Sequence, residues 1–333
     1  MKIVVTGAAG FIGMHLCENL IKRGHEITCA IDSLNPVYDR NLSNLRSERL
    51  RKSGINITQV DIAKISIEEI VKRISGADVI VHLAAYAGVR QSEITPNKYS
   101  ISNLTGFANI LEAVRIVKPN IFLFASSSSV YGETNSTNTQ LEESATGLNL
   151  VSYYAATKWV NEVLAQSHAK NYKINSVAMR FFTVYGIYGR PDMSYMTFLE
   201  KILNGDEIEL FGQNGGQRSF SYVLDVANII GSLIESETLI SKLNNSTTHF
   251  EALNIGSSKT DTARSLIQIL EQESQKKANV KIVERPSFDV SATSASMIKT
   301  FSYLNNKHEF TNLTDGIKEF TQWYLNDFLR LQK

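Results

Sequence analysis

Along the first half of the chain, short apolar runs alternate with longer stretches in which apolar residues return every three or four positions. The short runs predict strands at Ile3–Thr6, Ile27–Asp32, Ile57–Asp61, Val79–Leu83, Ile121–Ala125 and Ile174–Met179. The longer stretches predict helices at about Phe11–Arg23, Ser66–Ser75, Lys98–Val117 and Tyr153–Asn171. Such alternation is the pattern of repeated βαβ units, so the expected fold class is α/β, with a doubly wound parallel sheet.

The rhythm loosens after Met179. Gly189-Arg190-Pro191-Asp192 and Gln213-Asn214-Gly215-Gly216 read as loops, and helical periods return at Leu224–Glu235, Thr262–Glu273 and Asp315–Phe328. The expected organisation is a Rossmann-type domain over residues 1–179, with segments near 219–256 returning to it. A smaller α/β substrate-binding lobe is expected mainly over residues 180–333. No repeat or low-complexity linker marks the join.

Composition narrows the function classes. The 333 residues include 34 Lys+Arg against 33 Asp+Glu, a net charge of +1, and 43% are hydrophobic. That is ordinary for a globular protein of about two domains and provides no field to attract nucleic acid or an anionic membrane. Cys17 and Cys29 stand inside a predicted helix and strand without metal-binding spacing, and read as small buried hydrophobes. The opening apolar run ends at Gly7, too short for the core of a signal peptide, and no later stretch approaches about 18 apolar residues. Cytoplasmic location is the resulting expectation.

The first strand meets the first helix through Thr6-Gly7-Ala8-Ala9-Gly10-Phe11-Ile12-Gly13. Gly7 suits a tight turn, Gly10 a close backbone approach to a pyrophosphate, and Gly13 close packing of helix on strand. Asp32 ends the second strand about 20 residues later, where a carboxylate accepts hydrogen bonds from ribose hydroxyls and repels a 2′-phosphate. NAD is therefore expected rather than NADP. Asp61 and Ile62, after the third strand, are candidates for the adenine pocket, with a solvated acidic turn as the alternative.

Tyr154 and Lys158 stand four apart on a predicted helix, which puts them on one face. A free tyrosine has a pKa of about 10, and a nearby ammonium lowers it toward the range useful for moving an alcohol proton. The pair follows Ser126-Ser127-Ser128-Ser129-Val130-Tyr131-Gly132 at the end of the fifth strand, where ligands of such sheets bind.

These motifs, together with His82-Leu83-Ala84-Ala85, Asn103-x-x-Gly106-x-x-Asn109, Arg180-Phe181-Phe182 and Arg218-x-Phe220-x-Tyr222-Val223-x-Asp225, resemble the extended short-chain dehydrogenases/reductases of the sugar-nucleotide epimerase/dehydratase group. The likeness runs from Thr6 to about Gly256. It implies Tyr154 as the base, Lys158 as its pKa-lowering, ribose-binding partner, and Ser127 as the hydroxyl that steadies the sugar oxygen. It also places Leu83, Ala84 and Ala85 along NAD, while His82 itself reads as a packed strand-end histidine.

Within the group, dehydratases resemble one another in an Asp-Glu pair where this chain has Ser128 and Ser129, and decarboxylating relatives carry a glutamate at the second position. Neither carboxylate is present here, which leaves 4-epimerisation. Val184–Met193, Asp32–Asp39 and Ala87–Ser92 are similar to segments of UDP-glucuronate 4-epimerases. That resemblance implies a cycle through a 4-keto sugar on bound NAD, with Arg190 near the uronate carboxylate and Arg90, Ser128, Thr183 and Arg218 on the UDP-sugar. Arg285 stands near a second nucleotide-binding region, in a stretch that matches less well.

Other readings stay open. Arg190 can be a loop surface charge, which would leave a 4-epimerase of neutral UDP-sugars such as UDP-glucose or UDP-N-acetylglucosamine. A sugar-nucleotide dehydratase or decarboxylase and a non-enzymatic NAD sensor are the remaining alternatives. The resemblance further implies a homodimer through the Lys98–Val117 and Tyr153–Asn171 helices. No metal is expected.

Overall fold

The structure, a computed structural model, describes residues 1–35, 38, 40–132, 140–144, 149–284, 292–304 and 308–331. Seven strands form the central sheet: β1 (Lys2–Thr6), β2 (Glu26–Asp32), β3 (Ile57–Gln59), β4 (Val79–His82), β5 (Ile121–Ser127), β6 (Ser176–Phe181) and β7 (Phe250–Ile255). Their order across the sheet is β3-β2-β1-β4-β5-β6-β7, and every neighbouring pair is parallel. The order reverses between β1 and β4, and a doubly wound sheet binds its ligand outside the strand ends at that reversal.

Successive strand side chains point to opposite faces, and here the alternation sorts the core into two layers. Ile3, Val5, Val81, Leu123 and Val177 join one apolar cluster, while Val4, Ile80, Phe122, Phe124 and Ala178 join the other. The helices Phe11–Lys22 and Val223–Ile234 pack on the first face. They are tied by Asn19 Nδ2 donating to Asn228 Oδ1 at 2.6 Å. A third cluster gathers Tyr185, Tyr195, Leu199, Ile208, Phe220, Leu266, Phe320 and Trp323 from beyond the sixth strand. Leu42 reaches it from the first half.

Several elements differ from the pattern's expectation. The stretch predicted as one helix over Lys98–Val117 is three segments: Pro96–Tyr99, a π-helical Ser100–Thr105, and Gly106–Val117. The widened segment carries Asn103, whose amide serves a loop rather than the helix. Arg40–Lys52 is a helix that periodicity does not signal, because only Leu42, Leu45 and Leu50 interrupt a polar run. Its fully buried anchor is instead the charged Arg46. Helices Ser194–Asn204 and Glu237–Asn244 were likewise not expected. β7 comes from the stretch expected to return to the sheet. Among the described residues, no helix is long and apolar enough to cross a membrane.

Candidate functional site

At the end of β1 the chain turns through Gly7, whose φ of +71° is left-handed. A Cβ there would stand 2.6 Å from the Ala84 amide nitrogen, so only glycine lets the turn lie against the end of β4. A Cβ on Gly10 would meet the Gly7 carbonyl at 2.8 Å, and one on Gly13 would run into the same oxygen. Gly10 begins the Phe11–Lys22 helix with no side-chain cap and no acidic residue in the first turn. The first N–H groups, those of Phe11, Ile12 and Gly13, therefore present positive potential to an anion.

Asp32 ends β2 beside this turn. Ala9 N–H donates to its Oδ2 at 3.0 Å and Leu34 N–H to its Oδ1 at 2.9 Å. Burial pushes its pKa up, and those backbone donors and the charge of Arg46 push it back down. Each oxygen keeps a further lone pair for a hydroxyl. A turn with no room for Cβ atoms, an uncapped helix start and a neighbouring carboxylate fit a dinucleotide. The pyrophosphate would lie at the helix and the adenosine ribose on Asp32.

Asp61 is less committed to a ligand. Its Oδ1 accepts from Ala63 N–H at 3.0 Å and its Oδ2 pairs with Lys64 at 3.0 Å, while Ile62 is buried and its carbonyl accepts from Asn109 at 2.9 Å. Leu83 and Ala84 are fixed to β1 through Thr6: Leu83 N–H donates to its carbonyl at 2.9 Å and Ala84 N–H to its hydroxyl at 3.4 Å. Ala85 follows, half-buried. His82 is packed in the core, 5.6 Å from Phe107 ring to ring and 2.7 Å from the Thr6 hydroxyl. Burial and then the Lys158 charge push its pKa down to about 3, so it is a neutral structural residue.

The Tyr153–Tyr172 helix starts at Ser152, whose hydroxyl accepts from Ala155 N–H at 3.0 Å. It sets Tyr154 and Lys158 beside the end of β5. Burial pushes the Tyr154 phenol above its ordinary pKa, against the pull of a Ser127 hydrogen bond and the charge of Arg190. Lys158 Nζ lies 5.9 Å from the Tyr154 ring centre, donates to the Ala125 carbonyl at 2.9 Å, and is itself pushed down to about 8 by burial. Ser127 also donates to Ser129 at 3.1 Å, and Ser128 opens the 3₁₀ turn that follows.

Arg190 reaches the same cleft from the 186–192 loop. Its Nε and Nη2 grip both oxygens of Asp192 at 3.0 and 2.5 Å, and Nη2 also donates to the Ala87 carbonyl at 3.1 Å. Burial works against its charge, but Asp192 outweighs burial and holds the pKa above the ordinary arginine value. Thr183 opens a short strand, Thr183–Tyr185, paired with Phe220–Tyr222. Arg218 sits in register with Asp261 and Thr293. Arg90 is exposed, its guanidinium 6.0 Å from the Phe211 ring. Arg285 lies outside the described residues.

Four further groups shape the site, none of them given a role by the sequence. Asn103 accepts from Tyr86 N–H at 2.8 Å and donates to Tyr86 C=O at 2.9 Å and to Thr157 at 3.1 Å. Ser92 Oγ accepts from Tyr154 N–H at 3.1 Å. Arg46 donates to the carbonyls of Tyr188 at 2.7 Å and Gly189 at 2.9 Å, holding the loop that carries Arg190 while Tyr188 keeps a left-handed φ of +55°. On the buried face of the Tyr153–Tyr172 helix, Glu162 accepts a buried fork from Arg180 at 3.0 and 2.8 Å, and Ser126 donates to the same carboxylate. The Asn-x-x-Gly motif and the Arg-Phe-Phe motif pointed at Asn103 and Arg180 but said nothing of their partners.

Known proteins share this fold. The fold superposes with a TM-score of 0.86, at 29% identity over 97% of this chain and 98% of the other, on UDP-glucuronic acid 4-epimerase from Bacillus cereus in complex with UDP-glucuronic acid and NAD. The chain is 35% identical to UDP-glucuronate 4-epimerase 4 of Arabidopsis thaliana, over 98% of its own length and 76% of that protein's. It is 34% identical to Protein CapI of Staphylococcus aureus over 98% of each. Residues 3–256 match the NAD dependent epimerase/dehydratase family.

Proposed function

The chain belongs to the NAD dependent epimerase/dehydratase family, and from that premise we propose that it is an NAD-dependent 4-epimerase of a UDP-hexuronic acid, interconverting UDP-glucuronate and UDP-galacturonate. The observation that carries the substrate is the short chain of contacts joining Arg190 to Tyr154: Arg190 Nη2 and the Tyr99 hydroxyl both donate to the Ala87 carbonyl at 3.1 Å, and the Tyr99 ring stands edge-on to that of Tyr154 at 6.2 Å. In a hexuronate the reacting 4-hydroxyl and the carboxylate sit on adjacent ring carbons, so a base and a carboxylate-binding fork must share one cleft.

Bound NAD supplies a reversible hydride acceptor for carbon 4. Gly7, Gly10, Gly13 and Asp32 would hold it, with Lys158 as the residue for a ribose hydroxyl. Tyr154 takes the proton of the 4-hydroxyl and returns it to the opposite configuration after the 4-keto sugar has turned over. Ser127 donates to the sugar oxygen and keeps the phenol aligned. The 4-keto uronate is a β-keto acid and loses CO2 once its carboxylate rotates out of the ring plane. A two-point grip by Arg190 restrains that rotation. Ser128 and Ser129 bring no carboxylate for elimination or decarboxylation. Arg218 and Thr183 are assigned to the diphosphate side of the ligand, and the third apolar cluster to the substrate lobe.

The exposed Ile101, Ile116, Val160, Val163 and Leu164 lie on the two helices expected to pair with their copies, which supports a homodimer, checked by sedimentation. We assign the enzyme to the cytoplasm, making uronate donors for polysaccharide synthesis. A second reading, a 4-epimerase of neutral UDP-sugars, is favoured by one observation: Asp192 already neutralises Arg190. Incubating the protein with UDP-glucuronate, UDP-galacturonate, UDP-glucose and UDP-N-acetylglucosamine in parallel, followed by NMR, separates the readings. Interconversion of the uronates alone supports the first, equal turnover of neutral sugars supports the second, and CO2 release overturns both.

A further inference from the structure

The contact between Arg190 and Asp192 has the geometry that a substrate carboxylate would itself require. A guanidinium presents two side-by-side faces to a carboxylate, Nε with Nη2 and Nη1 with Nη2, and both use Nη2. Here one face is filled by Asp192, and Nη2 also serves the Ala87 carbonyl. A second carboxylate gains a two-point grip only if one of these partners leaves. The Ala87 carbonyl is fixed backbone, held also by the Tyr99 hydroxyl at 3.1 Å. Asp192 is a side chain on a loop, 46% exposed where Arg190 is 18% exposed, so water can take up its oxygens when it lets go.

We propose that Asp192 is a specificity-determining residue, a carboxylate of the protein's own that occupies Arg190 until a uronate displaces it. The inference rests on the reading of Arg190 as the uronate contact. A uronate must compete with Asp192, whereas a neutral sugar leaves the pair intact. Asp192 therefore narrows the gap in affinity between charged and neutral UDP-sugars, and it keeps the Arg190 side chain extended toward the cleft between substrates. Replacing it by the isosteric amide leaves the cleft one positive charge richer.

The test is equilibrium binding of UDP-glucuronate, UDP-glucose and UDP to the NAD-loaded protein, in a Tyr154→Phe background that prevents turnover. It is run with and without Asp192→Asn, and separately with Arg190→Gln. Asp192→Asn is expected to tighten UDP-glucuronate about fivefold, the scale of a partly exposed ion pair, and to leave UDP-glucose and UDP within twofold. Unchanged or weaker UDP-glucuronate binding with UDP binding retained overturns the proposal, as does equal tightening of UDP-glucose. Arg190→Gln separates the levels. If it weakens UDP-glucuronate while Asp192→Asn has no effect, only the role of Asp192 is wrong. If it leaves UDP-glucuronate unaffected, the uronate reading falls and this inference with it.

Discussion

Lys158 and Tyr154 share a helix face, yet the ammonium of Lys158 stands 5.9 Å from the Tyr154 ring centre and donates to the Ala125 carbonyl rather than to the phenol. Burial pushes the Tyr154 phenol above its ordinary pKa, and the Ser127 hydrogen bond and the charge of Arg190 pull it back. Lys158 thus ties its helix to the strand end, and Tyr154 is the base of the proposed reaction. Tyr154→Phe is expected to lower epimerisation at least about 10³-fold while UDP-sugar and NAD binding persist. Turnover by NMR and binding by calorimetry check it, and an active variant removes Tyr154 as the base.

Arg190 lowers the pKa of Tyr154 through its charge, against burial which raises it. Taking that charge away raises the phenol's pKa further, so the pH at which the base form accumulates moves upward. With UDP-glucuronate, Arg190→Gln should lower kcat/KM and shift its ascending limb to higher pH, because kcat/KM reports the base of the free enzyme. An unmoved profile would show that the guanidinium does not act on Tyr154.

Glu162, on the buried face of the Tyr153–Tyr172 helix, has both oxygens on Arg180, each side chain almost wholly buried. Glu162→Gln keeps the shape but leaves an uncompensated guanidinium in the core, a loss of about 3–5 kcal/mol. Denaturant unfolding measures it. Ser126 donates to the same carboxylate, one residue before Ser127. The variant is therefore also expected to lower kcat more than it raises KM, which a purely global loss of stability does not do.

Acid stability follows from His82. Its folded pKa of about 3 lies below the 6.5 of an unfolded histidine, so between those values the unfolded chain binds a proton that the folded chain refuses. Stability contributed in this way is complete above about pH 6.5 and falls as the pH drops toward 3, by at most about 1.4 kcal/mol per pH unit. His15, pushed down to about 3 by burial, acts in the same direction. In His82→Gln one of the two contributions is gone, so the stability gap between wild type and variant should shrink steadily from pH 6.5 to pH 4. A constant gap would refute the assignment of His82 as a neutral core residue.

What the chain displayed in its letters was whatever depends on residue type at fixed spacing. The turn at Gly7 admits no Cβ, a ribose needs a carboxylate at a strand end, and a helix puts Tyr154 and Lys158 on one face. These were legible because local backbone geometry alone sets them. The Arg40–Lys52 helix was not, since its deepest contact is a guanidinium on the carbonyls of Tyr188 and Gly189, more than a hundred residues away. Nor could sequence show that Lys158 turns to a main-chain oxygen, because every carbonyl looks alike in a sequence. Asp192 was visible only as part of a loop, and its hold on Arg190 depends on where that loop folds back toward Ala87.

β7 enters the sheet from far down the chain, pairing with β6 from Phe250↔Ser176 to Ile255↔Phe181. Until that segment emerges during synthesis, β6 is an open edge with a full ladder of unpaired amides and carbonyls next to an apolar face. Only part of the third apolar cluster, from Tyr185 to Phe220, is translated inside that interval, while Leu266, Phe320 and Trp323 follow β7. Closing such a long chain loop is slow and is recovered only when the last strand docks. A fragment ending before Phe250 is thus expected to aggregate through β6 rather than fold as a free-standing dinucleotide binder. The early and late parts of the chain are bound together by the order in which their sheet can be completed.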